Sequence, residues 1–291
     1  MHSNKITRRE LAALAGVAVA GAEATAARSG TLTAREAIER IQKNVGVPWR
    51  KQTVDTFKAG DPDTPVLGIA TSFMATLDVL QRAAAAGKNL IVSHEPTFYN
   101  HLDETKDLAD DPIYKFKMEF IKQHKLVIWR FHDHWHARQP DAIMTGLAQL
   151  LGWDKHQAGS DQRYYVLPAT TLGELARTIQ ERLKVRTLRA IGDPQSRVSR
   201  VSLSPGAAGL MAAVRTLPQA DVYVCGEATE WEGIEYARDT IAAGQKKGMI
   251  LVGHVVTEDP GMNLCAQWLK TFIPEVPIEW IPTGEPFWRP A

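Results

Sequence analysis

A chain of 291 residues holds one large domain or two modest ones, with ample material for a core. With 34 Lys and Arg against 33 Asp and Glu the net charge is +1, and no basic stripe points to nucleic acid as a partner. The only cysteines, Cys225 and Cys265, exclude a disulfide scaffold and have no zinc-finger spacing.

The chain opens on a segment unlike the rest. Lys5, Arg8 and Arg9 precede an alanine-rich apolar stretch, and Ala24-Thr25-Ala26 offers small residues at a cleavage spacing. Thr7-Arg8-Arg9-Glu10-Leu11 resembles the twin-arginine export signal, so residues 1–27 read as a leader and the mature protein as periplasmic or secreted, with no membrane attachment after processing. Beyond it, residues 33–44 read as a helix, 61–65 as a turn, 66–70 as a strand, 76–87 as a helix and 89–93 as a strand, which makes a βαβ unit. A polar loop (99–112), a helix (113–124), a strand (126–131) and a helix (141–151) follow. A second block brings a strand (164–167), a helix (172–183), a strand after Arg197 and a small-residue turn (204–209). It continues with a further helix, a strand (222–225), a helix (234–243), a strand ending at His254, a helix (263–272) and an extended tail (276–281). The expectation is an α/β protein of two lobes, 33–155 and 160–291, each a sheet of alternating β and α elements.

Three of the short apolar runs end by delivering a histidine. One leads into His94-Glu95-Pro96, a second into His132-Asp133-His134-Trp135-His136, and a third into His254-Val255-Val256-Thr257-Glu258. Open α/β sheets gather ligands at the carboxyl ends of their strands. Imidazole and carboxylate together suit a borderline divalent metal. On an extended backbone His132, His134 and His136 would share one face. Glu258, four residues after His254, can reach the same point and bridge two cations. The segment at Pro205-Gly206-Ala207-Ala208-Gly209 lacks both phosphate-loop patterns, so nucleotide cradling is not expected. Trp135 and Trp231 read as packing residues, and His101, His124 and His156 as surface ones.

The motifs resemble the Nif-three-like dinuclear metal-centre family, also called type 2 GTP cyclohydrolase I-like. The likeness rests on Val66-Leu67-Gly68-Ile69-Ala70, Thr76-Leu77-Asp78-Val79-Leu80, and the run from Asn89 to Pro96. It continues in Asp221-Val222-Tyr223-Val224-Cys225-Gly226-Glu227 and Gly253-His254-Val255-Val256-Thr257-Glu258. The resemblance implies a two-lobed fold with a metal site in the cleft between lobes, two divalent ions (Zn, Mn, Fe or Co) and a ring-shaped homo-oligomer, commonly a hexamer. The ligand set it implies is His94, Glu95, His132, His136, His254 and Glu258, with Glu227 beside the site. Two positions depart from the family pattern. Glu95 stands where the family has a second histidine, and His136 stands where it has an aspartate. The exchange conserves three nitrogens and two negative charges in the set His94, Glu95, His136, His254 and Glu258, which argues for retained metal binding; the alternative is that Asp133 replaces the aspartate.

The resulting expectation is a metal-dependent hydrolase acting on a small molecule of unknown identity, with Glu95 as a candidate proton carrier. The alternative is a non-catalytic metal-binding, metal-insertion or regulatory interaction protein. An open coordination position with an adjoining pocket separates the two.

Overall fold

A computed structural model describes residues 31–290 of the chain, so the expected leader at 1–27 lies outside the described residues. Helix α1 (Ala34–Asn44) begins where Thr33 and Glu36 exchange hydrogen bonds in a capping box, and it buries Ala34, Ala37, Ile38 and Ile41. A short strand β1 (Phe57–Ala59) precedes β2 (Ile69–Met74), α2 (Leu77–Ala85) and β3 (Leu90–Glu95), the anticipated βαβ unit. Then come α3 (Pro112–Gln123), β4 (Val127–Arg130), a short α4 (Asp133–Ala137) and α5 (Ala142–Leu151). The second half holds β5 (Tyr164–Thr171), α6 (Leu172–Leu183), β6 (Arg189–Ile191), β7 (Arg197–Ala208), α7 (Leu210–Thr216) and β8 (Val222–Ala228). A π-helical turn (Glu230–Ile234), α8 (Glu235–Ala242), β9 (Gly248–Leu251), α9 (His254–Leu269) and β10 (Ile278–Trp280) complete it.

These strands form two five-stranded sheets, ordered β1-β4-β3-β2-β10 and β5-β7-β8-β9-β6. The inner strands of each run parallel, with Leu90 beside Val127 and Val222 beside Gly248. Parallel strands covered on both faces should read as continuous apolar runs, and β4 and β9 are buried at every position. Both sheets belong to one compact unit, Leu32–Ala291. The tail does not stay with the second sheet, as a lobe of 160–291 would have it: β10 pairs in parallel with β2, Ile278 beside Ile69. Cys225 and Cys265 are both buried and free. No helix of the described residues is long and apolar enough to cross a membrane.

Three local expectations need correction. The turn at 204–209 lies largely within β7, which carries Pro205 at an irregularity in its pairing with β8 between Ser204 and Ala207; a bulge is where a strand tolerates proline. The last helix begins at His254, not near Asn263, and contains Pro260. A proline inside a helix costs about 3 kcal/mol, and here burial of Met262, Cys265, Ala266 and Leu269 offsets it. Finally, residues 133–137 are helical instead of extended. Asp55 accounts for this: its carboxylate accepts from the amides of His132 (2.7 Å), Asp133 (2.9 Å) and His134 (2.9 Å), as an anion at a helix start does.

Candidate metal centre

The turn of α4 sorts the three clustered histidines. His132 and His136 fall four apart on one face, their ring centroids 4.9 Å from each other. His134 points the other way, fully buried, with Nδ1 2.6 Å from Asp55 Oδ2 and Nε2 accepting from the Arg50 amide at 2.9 Å. Its ring stacks on Trp49 at 3.6 Å. Both nitrogens are used, so His134 is a packing residue and no ligand.

His94 ends β3, and its ring lies 4.7 Å from that of His132 and 4.9 Å from that of His136. The ligand atoms of His94, His132 and His136 lie within 4.8 Å of one another, as do those of His94, Glu95 and Glu258. His254 and Glu258, one turn apart at the start of α9, come to the same place. His254 Nε2 is 3.0 Å from Glu258 Oε2 and 3.6 Å from Glu95 Oε1, and His94 Nε2 is 3.4 Å from Glu258 Oε2. The structure therefore brings together His94, Glu95, His132, His136, His254 and Glu258. Two groups among them, His94 with His132 and His136, and His94 with Glu95 and Glu258, could hold a metal ion.

Whether the cluster fits a cation is decided by the outer nitrogens. His94 Nδ1 meets the Phe131 carbonyl at 3.1 Å, His132 Nδ1 meets Asp133 at 2.9 Å, His136 Nδ1 meets Asp141 at 2.9 Å, and His254 Nδ1 meets Glu227 at 2.9 Å. Carbonyls and carboxylates only accept, so each Nδ1 donates and each Nε2 is left for the interior. His94 Nε2 is buried with no hydrogen-bond partner, a costly state for a polar atom unless something binds it. Asp133 spends its other oxygen on Thr53 Oγ1 (2.9 Å) and the Val54 amide (3.2 Å), which places it behind His132 and not among the ligands.

Charge within the cluster is strongly coupled. Burial pushes Glu258 up, but the charge of His94 together with the hydrogen bond and charge of His254 hold it far below the usual carboxylate range. Burial alone would lower His254, yet Glu258, Glu95 and Glu227 push it up to about 11. His132 is pushed down to about 4, by burial first and the His94 charge second. Protein alone thus satisfies the two carboxylates with a proton on His254, the place a cation would take.

Sequence reading missed four residues that shape the centre. Asp55 caps α4, Asp141 orients His136, and Gly206 of β7 abuts the cluster, where an added Cβ would lie 2.1 Å from Glu258 Oε1. The fourth, Arg130, is fully buried. Its Nε donates to the His94 carbonyl (3.0 Å), Nη1 to the His101 carbonyl (2.5 Å) and Nη2 to Glu95 Oε2 (3.1 Å). The available signal was an arginine inside the apolar run before His132, since a buried cation requires a partner. His101 is exposed, as read from the sequence, with its ring 6.0 Å from that of His132. Trp135 is buried as expected, whereas Trp231 is 81% exposed and packs into no core.

The model of the Duf34/NIF3 (NGG1p interacting factor 3) family matches residues 36–285. A Chlamydia pneumoniae protein called GTP cyclohydrolase 1 type 2 homolog is 25% identical over 241 residues, which cover 79% of this chain and 89% of that one. A protein of the same name from Clostridium acetobutylicum is 22% identical over 222 residues, 72% of this chain and 79% of its own. Among solved structures, a Bacillus cereus protein related to NIF3 superposes with a TM-score of 0.70 at 14% identity, covering 90% of this chain and all of the other. A hypothetical protein of Staphylococcus aureus gives 0.69 at 17% identity with the same coverage. At these identities the structural matches speak for the fold alone.

Proposed function

Since this chain belongs to the Duf34/NIF3 family, we propose that it holds two divalent metal ions and works as a metal-dependent hydrolase on a small molecule. One observation carries the reading: four imidazoles are each anchored outward through Nδ1, three of them (His94, His132 and His254) turn Nε2 toward the carboxylates of Glu95 and Glu258, and His136 gathers with His94 and His132. His94, His132 and His136 would hold one ion, and Glu95, Glu258 and His254 the other. A mixed nitrogen and oxygen donor set without thiolate suits zinc, manganese, iron or cobalt.

Divalent ions bound there supply Lewis-acid polarisation of a substrate oxygen and make water more acidic. The chain's own residues do the rest. Asp133, Asp141, Glu227 and the Phe131 carbonyl fix the ring orientations, so ligands need not reorganise. Arg130 clamps one oxygen of Glu95 and leaves the other facing His132 and His254. Burial pushes Glu95 up, but the hydrogen bond with His254 and the charges of His94 and His132 prevail and keep it below the usual range. If Oε1 is not itself taken up by a metal ion, an ionised, half-clamped carboxylate of this kind can accept a proton there.

The alternative, a non-catalytic metal-binding or regulatory protein, calls for a closed site. A cavity of about 560 Å³ lined by His254 and Glu227 favours catalysis instead. Metal analysis by mass spectrometry on protein purified without chelator tests the proposal. Two transition-metal equivalents per chain are expected, falling to one or fewer in Glu258→Ala; a metal-free wild type that also fails to take up added Zn²⁺ or Mn²⁺ would end it.

A further inference from the structure

The cavity beside His254 has one wall that no motif announces. After β10 the chain is pinned twice in quick succession. Thr283 donates its amide to Asp259 Oδ2 (3.1 Å), while its Oγ1 lies 3.0 Å from Ser72 Oγ and accepts from the Met74 amide at 3.1 Å. Glu285 then accepts from the amides of Arg186 (2.7 Å) and Thr187 (2.9 Å), and its carbonyl accepts from the Arg186 guanidinium at 2.8 Å. The first anchor belongs to the β2 end of the first sheet and the residue next to Glu258; the second belongs to the segment before β6 of the second sheet.

Past that second anchor, Phe287 and Trp288 line the cavity together with Arg189, Glu227 and His254. They are nevertheless 62% and 70% exposed, so two large rings are held at a pocket without being packed. Exposing this much apolar ring beside a polar site is unfavourable unless a ligand covers it. The volume is that of a small-molecule pocket, and its lining includes His254 of the metal centre and Glu227, which orients it.

We propose that residues 283–288 form a fixed strap whose Phe287 and Trp288 make the outer wall of the substrate site. The substrate then carries a planar aromatic or heteroaromatic ring, seated against those two side chains, with its polar reacting group turned toward His254. This rests on the metal centre proposed above. Asp259, adjacent to Glu258, joins the strap to the ligand-bearing helix, so ring recognition and metal ligation are built on one stretch of chain.

Two hydroxamates make the test, because they share a metal-seeking head and differ by a ring. Zinc-loaded wild type should bind benzohydroxamate roughly tenfold or more tightly than acetohydroxamate in calorimetry, the factor expected for covering one ring. In Phe287→Ala with Trp288→Ala, benzohydroxamate should weaken to the level of acetohydroxamate, while acetohydroxamate affinity and zinc content stay at wild-type values. Equal binding of both probes by wild type, or an unchanged ratio in the double variant, overturns the strap and leaves the metal centre standing. A wild type that takes up no added zinc and binds neither probe overturns both. A change of molecular mass in light scattering on the double variant assigns the rings to an interface between copies, and that also overturns the proposal.

Discussion

The two oxygens of Glu95 face different partners: Oε2 meets Arg130 at 3.1 Å, while Oε1 lies 3.5 Å from His132 Nε2 and 3.6 Å from His254 Nε2. Glu95→His should therefore do more than change a ligand. It removes the carboxylate partner nearest a fully buried guanidinium, and breaking a buried ion pair from one side costs roughly 3–5 kcal/mol. Glu95→His with Arg130→Met should recover most of that loss. Denaturant unfolding of wild type, both singles and the double would reveal the coupling, and strictly additive effects would show that the pair does not act as a unit. Counting ligand charges along the sequence made the exchange at 95 and 136 look balanced, because only the ligands were in the count. Their outer partners are not balanced: an aspartate at 136 would be set against Asp141, which now meets His136 Nδ1 at 2.9 Å. The ligand types were legible because each sits at a strand end in a motif. Asp55 was not, since nothing in the chain near residue 55 signals the helix start at 133 that it caps, and without that helix His134 could not be told from His136.

Elements were easiest to read where one force dominated. The parallel strands and amphipathic helices follow from apolar periodicity, and β3, α2 and α6 appear within a residue or two of expectation. They were hardest to read around the site, where packing overrides local preference. Pro260-Gly261 looks like a helix end, yet α9 runs through it because Gly261 lets α5 approach: a Cβ on Gly146 would come 2.7 Å from Gly261 Cα. Small-residue turn chemistry at 204–209 proved to be a bulge pressed onto the ligands. Gly206 has φ +72 and touches the space of Glu258 and His254, whereas Gly209, three residues on, would place a Cβ with nothing within 4 Å. Gly206→Ala must strain the backbone and displace Glu258, so it should lose at least half of the bound metal. Gly209→Ala should lose none. Equal metal content in the two variants, measured by mass spectrometry, would mean that β7 does not shape the centre.

At the scale of the whole molecule, the centre draws on both sheets. His94 and Glu95 end β3, His132 and His136 follow β4, and His254 with Glu258 open the helix after β9. A cation held by residues from both would join two α/β halves whose strands do not pair with each other, apart from the tail that returns as β10. Binding to the folded form only should then stabilise the entire unit. At a free metal concentration a hundred times the dissociation constant the gain is about 2.7 kcal/mol. For a chain of this size each kcal/mol moves the melting temperature by roughly 2–4 °C. Chelator should accordingly lower the melting temperature of metal-loaded wild type by roughly 5–10 °C in one cooperative transition. Glu258→Ala, lacking the carboxylate that sits between His94 and His254, should melt low and respond little to chelator. A melting temperature indifferent to chelator, in protein shown to have released its metal, would mean that the ligands are already held in place by Asp133, Asp141, Glu227 and Arg130, and that the ion contributes chemistry without joining the halves.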